Sequence, residues 1–163
     1  MSDHSGFLSL GNLVPKSNAT YSLGNASLAW NTVFTSNLAL NGVSANILSG
    51  VYTPTRSAEA NLDANVTMTE AQYMRVGNTV TVSGRFTADP TLTASTTSFE
   101  ITLPIASNIG AAEDVAGVAF CGNIAAMGAE IIGVAANDTA KIQWKSSDVT
   151  SQTWSYQFTY QII

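Results

Sequence analysis

Charged side chains are scarce in this sequence: Asp, Glu, Lys and Arg make up 10% of its 163 residues, where soluble domains usually carry about 25%. Asn, Ser, Thr and Ala take the vacated places, so the surface is expected to be hydrophilic but uncharged. Basic residues are scarcer still. Six Lys and Arg, scattered along the chain, stand against eleven Asp and Glu, giving a net charge of -5 and a pI near 4.5. Neutralising a phosphate backbone takes clustered Lys and Arg, so this pattern argues against a nucleic-acid partner.

Cysteine occurs once, as Cys121. A single thiol allows no internal disulfide, so the fold does not depend on an oxidising compartment. Within the apolar run Val118-Ala119-Phe120-Cys121 it is expected to be a small buried hydrophobe. Histidine also occurs once, as His4 near the start, so neither a triad nor a multi-histidine metal site is expected within one chain. No apolar run approaches the roughly 18 residues of a membrane-spanning helix. The opening Met1-Ser2-Asp3-His4-Ser5 lacks the positive region of a secretory signal. Assembly in a cytoplasm, without membrane insertion, is the expectation.

What is present is period-two alternation. Trp154, Tyr156, Phe158, Tyr160 and Ile162 share one strand face, with Ser155, Gln157, Thr159 and Gln161 on the other. Val80, Val82, Phe86 and Ala88 alternate in the same way with Thr79, Thr81, Ser83, Arg85 and Thr87. The turn signal Gly77-Asn78 joins that strand to Gln72–Val76 as a hairpin. Phe99, Ile101 and Leu103 alternate with Glu100 and Thr102, and Ile142 and Trp144 with Lys141, Gln143 and Lys145. Turn residues separate these runs at Asp89-Pro90, Asn108–Gly110, Gly122-Asn123 and Asn137-Asp138. Seven or eight short antiparallel strands follow. No segment has a sustained helical period. The fold class is therefore all-β. A two-sheet antiparallel sandwich, jelly-roll-like, is preferred to a small barrel, although alternation does not separate the two.

Composition changes near Gly50, which divides an Asn-, Ser- and Leu-rich leader (residues 1–49) from a β domain (residues 50–163). The leader's apolar side chains are too few to balance the entropy of ordering it. It is expected to gain order by packing on the β domain, sister chains or a larger assembly.

Within the leader lie Pro15, then Asn18-Ala19-Thr20-Tyr21-Ser22-Leu23-Gly24, then Ser27-Leu28-Ala29-Trp30-Asn31-Thr32-Val33-Phe34. This stretch resembles the Tyr-x-Leu-Gly…Trp-x-x-Val/Ile-aromatic repeat of tail fibres and spikes of tailed bacteriophages. The resemblance implies a threefold assembly in which Tyr21, Leu23, Trp30 and Phe34 pack between chains and Gly24 allows the turn between them. A weaker likeness to C-terminal domains of phage fibre and virion proteins runs through Gly50–Pro54, Ala71–Gly84, Leu103-Pro104-Ile105 and Phe158–Ile162, and implies an attachment or decorating module. The expected role is a non-enzymatic virion structural protein: a short homotrimeric tail fibre that adheres to a host-surface glycan or protein and is assembled in the host cytoplasm. Phe7, Leu8, Leu10, Leu13 and Val14 are the expected contacts with other virion proteins of the tail, baseplate or capsid. The alternatives are a capsid decoration or head-fibre protein that stabilises the shell and, in another class, a carbohydrate-binding module.

Candidate chemistry is thin. A glycan hydrolase needs two carboxylates about 5 to 9.5 Å apart in a cleft, whereas Glu113-Asp114 adjoin in a Gly- and Ala-rich loop and read as solvated. Asp63, Asp89, Asp138 and Asp148 lack the spacing of a calcium loop. Asn-x-Ser/Thr triplets at Asn18, Asn25, Asn65 and Asn137 are what an Asn-, Ser- and Thr-rich sequence produces by chance. The rings of Trp144, Trp154, Tyr156, Phe158 and Tyr160 suit either a core or a sugar-stacking platform, and strict alternation favours the core. No catalytic residue, metal ligand or cofactor is therefore expected, and no receptor-binding residue is assigned.

Overall fold

Side chains alternate across a strand, so a segment with an aromatic residue at every second position buries one face and wets the other. In the computed structural model, residues 38–40, 43–45, 47–63 and 66–163 are described, and they are nearly all β. In chain order the strands are β1 (Leu38–Leu40), β2 (Val43–Ala45), β3 (Ile47–Tyr52), β4 (Arg56–Ala60), β5 (Thr67–Met68), β6 (Ala71–Val76), β7 (Thr79–Ala88), β8 (Thr96–Thr102), β9 (Val115–Cys121), β10 (Gly128–Val134), β11 (Thr139–Lys145) and β12 (Gln152–Gln161). A single 3-10 turn, Ala112–Asp114, precedes β9.

β1 and β2 form an antiparallel pair of their own. The other ten strands make one antiparallel sheet in the order β3-β6-β7-β12-β9-β10-β11-β8-β4, with β5 also paired to β7. This sheet curls until its halves face each other. Phe86 on β7 and Phe99 on β8 stand far apart in that order, yet their ring centroids lie 5.0 Å apart. The two edge strands are also close at one end, because only Thr53, Pro54 and Thr55 join β3 to β4. There the Thr55 N–H donates to Thr102 Oγ1 (3.0 Å) and the Thr102 N–H to the Thr55 carbonyl (3.0 Å).

The all-β, sandwich-like core expected from alternation is what the structure shows. Its two layers, however, are halves of one curled sheet. Ten strands occupy it rather than seven or eight, because β4 and β5 are short and largely exposed, so no alternation announces them. Gly77, at a φ of 62°, makes the β6–β7 turn as anticipated. β3 runs across the expected boundary at residues 49 and 50: Ile47, Leu48 and Ser49 pair with Val76, Arg75 and Met74.

Between the layers lie Val80, Val82, Phe86, Phe99, Ile101, Ile131, Ile142, Trp144 and the inward residues of β12, all buried. Phe86 stacks on Trp154 (5.7 Å, 7°), and Trp154 meets Trp144 at 4.8 Å. Burying each such large apolar side chain contributes roughly 1.5 to 3 kcal/mol. Tyr160 adds a clamp, since its hydroxyl donates to the Ile105 carbonyl (2.7 Å) and accepts from the Ile105 N–H (3.2 Å).

Candidate functional site

The residues left over from the core stand on the outer side of the sheet. Strand register arranges them in rows: Val51, Gln72, Ser83, Gln157 and Val118 form one, and Ser49, Met74, Thr81, Thr159 and Ala116 the next. A shallow depression of about 520 Å³ lies over these rows, lined by Ser49, Val51, Gln72, Met74, Thr81, Ser83 and Gln157 among others. A second, of about 430 Å³, shares Gln72 and Ser83 and adds Thr69, Glu70, Arg85 and Ser155.

Fixed ladders hold this face rigid, and cross-strand side-chain pairs reinforce it. Thr81 Oγ1 lies 3.2 Å from Thr159 Oγ1, and Arg85 Nε donates to Ser155 Oγ at 3.2 Å. Its polar groups are amides and hydroxyls, with Glu70 and Arg85 the charged residues lining the depressions. Exposed apolar side chains border it: Ile47, Val51, Met74 and Val76 on one side, Val118 and Phe120 on the other. Chemically it offers neutral hydrogen-bond donors and acceptors beside apolar area, which suits recognition of a surface.

The aromatic alternative is settled against a sugar platform. Trp144, Trp154, Tyr156, Phe158 and Tyr160 are all buried, because one side of β11 and β12 faces the interior. Cys121 is half-buried rather than buried, since the end of β9 is covered only in part, and its thiol lies 3.2 Å from Asn123 Oδ1. The exposure of Val118 and Phe120 has the same origin: they are the outward members of an alternating strand.

Carboxylates serve the loops. Asp114 accepts the Gly110 (2.8 Å) and Ala111 (2.9 Å) N–H groups, holding its turn, while Asp138 accepts the Ile109 N–H at 2.8 Å. Hydrogen bonds from the Thr150 side chain and N–H hold the Asp148 carboxyl below its ordinary range. Among the described residues no three His, Cys, Asp or Glu side chains gather as a metal site would require. The Asn137 amide donates to Glu100 at 2.8 Å. Among the described residues no helix is long and apolar enough to cross a membrane.

Tyr21, Leu23, Gly24, Trp30 and Phe34, with Phe7, Leu8, Leu10, Leu13 and Val14, lie outside the described residues. The outer face itself was missed by sequence reasoning. Its polar members were the second half of each alternating pattern, and nothing local distinguishes a binding face from a merely wetted one. No protein-family model and no curated protein matches the sequence.

Proposed function

We propose that the chain is a structural protein of a bacteriophage virion, a short trimeric tail fibre whose β domain adheres to the host surface. The observation that carries this reading is the outer face around Gln72, Ser83 and Gln157 on β6, β7 and β12: a shallow, nearly uncharged surface of amides and hydroxyls, with exposed Val118 and Phe120 beside it. Each contact on such a face is weak. Three copies per fibre, and several fibres per particle, raise the effective concentration of the second and later contacts, so adhesion follows from multivalency.

The fibre-like repeat supports the division of labour. Tyr21, Leu23, Gly24, Trp30 and Phe34 pack the three leaders together, Phe7, Leu8, Leu10, Leu13 and Val14 dock them on the particle, and the β domain projects outward.

Antibody raised against the β domain and used for immunogold labelling of phage particles released from cells that produce the protein tests the proposal. Gold at the tail is expected. Gold over the head would replace the fibre with a shell-decorating protein, and particles without label would overturn a virion role altogether.

A further inference from the structure

The sheet ends in two edges of opposite character. β4 carries Arg56 and Glu59, joined by an ion pair, and its pairing with β8 shifts register between Ser57 and Ala60, where Ala58 has a φ of 49°. Charge and a local irregularity are what keep an edge strand from recruiting another chain. β3 has neither. Ile47-Leu48-Ser49-Gly50-Val51-Tyr52 contains no charge and no proline, pairs with β6 in unbroken register, and has no partner strand on its other side among the described residues.

The outward side of this edge is apolar. Ile47 is 70% exposed and Val51 55%, and on β6 beside them Met74 is 55% and Val76 53% exposed. Ile47 lies directly opposite Val76, and Met74 follows two residues along the same face, so the four form one patch. The sequence that leads into β3 is unusual in a further respect: from Ser17 to Thr55 no residue is charged, in a chain of net charge -5. Copies of an acidic protein repel one another wherever their charges face. The outward residues of β3 and β6, Ile47, Ser49, Val51, Gln72, Met74 and Val76, carry no charge, so no such repulsion arises between them.

We infer that a second copy of the chain covers this patch, so that the copies of a fibre are held together through β3 and β6 of the β domain as well as through the leader. The inference rests on the trimeric reading above. A leader that gathers three chains delivers β3, the first strand of the large sheet, to its counterparts at high effective concentration. Ile47, Val51, Met74 and Val76 of each copy then turn toward the threefold axis, and the polar rows through Gln72, Ser83 and Gln157 continue outward from it.

Light scattering of the full-length chain tests this. The wild type is expected at three times 17.0 kDa. A Met74→Glu/Val76→Glu variant is expected to dissociate to single chains at concentrations at least about 100-fold higher than the wild type does, with an unchanged far-UV spectrum. Thr153→Glu, elsewhere on the outer side, is expected to stay trimeric. A folded Met74→Glu/Val76→Glu variant that remains as tightly trimeric as the wild type would overturn the inference and leave the fibre reading standing. A monomeric or dimeric wild type would overturn both.

Crosslinking gives a second readout that does not depend on a charged substitution. In a Cys121→Ser background, Ser49→Cys is expected to form a disulfide-linked pair of chains on mild oxidation, and Thr153→Cys is not. Absence of the Ser49→Cys crosslink, or equal crosslinking at both positions, would sink the proposed contact.

Discussion

Tyr156 fills the room that Gly84 leaves open across the β7–β12 pair: a Cβ on Gly84 would lie 2.6 Å from Tyr156 Oη and 2.9 Å from the Ala71 Cβ. Gly84→Ala is therefore expected to cost about 1 to 3 kcal/mol by overpacking. The Tyr156 hydroxyl is buried and has no hydrogen-bond partner among the described residues, so Tyr156→Phe alone is expected to be neutral or stabilising. Combined with Gly84→Ala, it removes the Oη contact but leaves Cζ 2.7 Å from the new Cβ, so it is expected to restore a small part of the loss beyond its effect alone. Urea unfolding of the three variants measures this; effects of the two substitutions that simply add would contradict the relationship.

Burial pushes Tyr156 and Tyr160 from 10.0 up to about 12, opposed at Tyr160 by its bond to the Ile105 backbone. Below pH 10 both hydroxyls are protonated folded and unfolded, and their contribution is complete. Between about pH 10 and 12 the unfolded chain gives up protons that the folded chain keeps, so stability falls as pH rises. Thermal midpoints across this window are expected to drop, and to drop less in Tyr156→Phe. A level profile would refute the assignment.

Asn61, at a φ of 55°, ties three segments together. Its Nδ2 donates to the Leu92 carbonyl (2.9 Å) and to Thr97 Oγ1 (2.7 Å), and its Oδ1 accepts from the Leu92 N–H and Thr91 Oγ1, both at 2.8 Å. Thr97 is fully buried. Asn61→Ala is expected to cost about 2 to 3 kcal/mol, by orphaning these groups and by placing alanine in a left-handed conformation. The amide of Leu92 should lose its hydrogen-exchange protection first, and protection there equal to wild type would count against the role.

Phe86 touches rings from both halves of the curled sheet: Trp154 in its own half, and Phe99 and Trp144 opposite. Phe86→Ala is expected to cost about 3 to 5 kcal/mol and to shift tryptophan fluorescence to the red. A loss under about 1 kcal/mol would mean that the halves do not depend on this contact.

The buried halves of the long strands were legible because alternation is local. Trp154, Tyr156, Phe158 and Tyr160 announce β12, and Val80, Val82, Phe86 and Ala88 announce β7 without reference to any neighbour. β4, with its exposed Ser57, Ala58 and Glu59, announces nothing. Glu100 defeats the rule from the other direction: it sits on the outward side of β8 yet is buried, accepting bonds from Asn137 Nδ2 (2.8 Å) and Thr139 Oγ1 (2.7 Å).

The outer polar face was illegible for a related reason. Gln72, Ser83 and Gln157 are far apart in sequence and become neighbours only through strand order and register, which long-range pairing fixes. The same holds for Asn61, one amide among many in an Asn-rich sequence, whose partners lie some thirty residues or more away.

β12 lies between β7 and β9 although it is translated after both. While the ribosome is still making residues 152–161, β7 and β9 each lack their neighbour on that side, and Phe86 and Val82 lack their cross-strand partners Trp154 and Phe158. The chain therefore closes its interior only after synthesis has passed this segment, and a nascent domain stalled earlier exposes the middle of its sheet, not a margin.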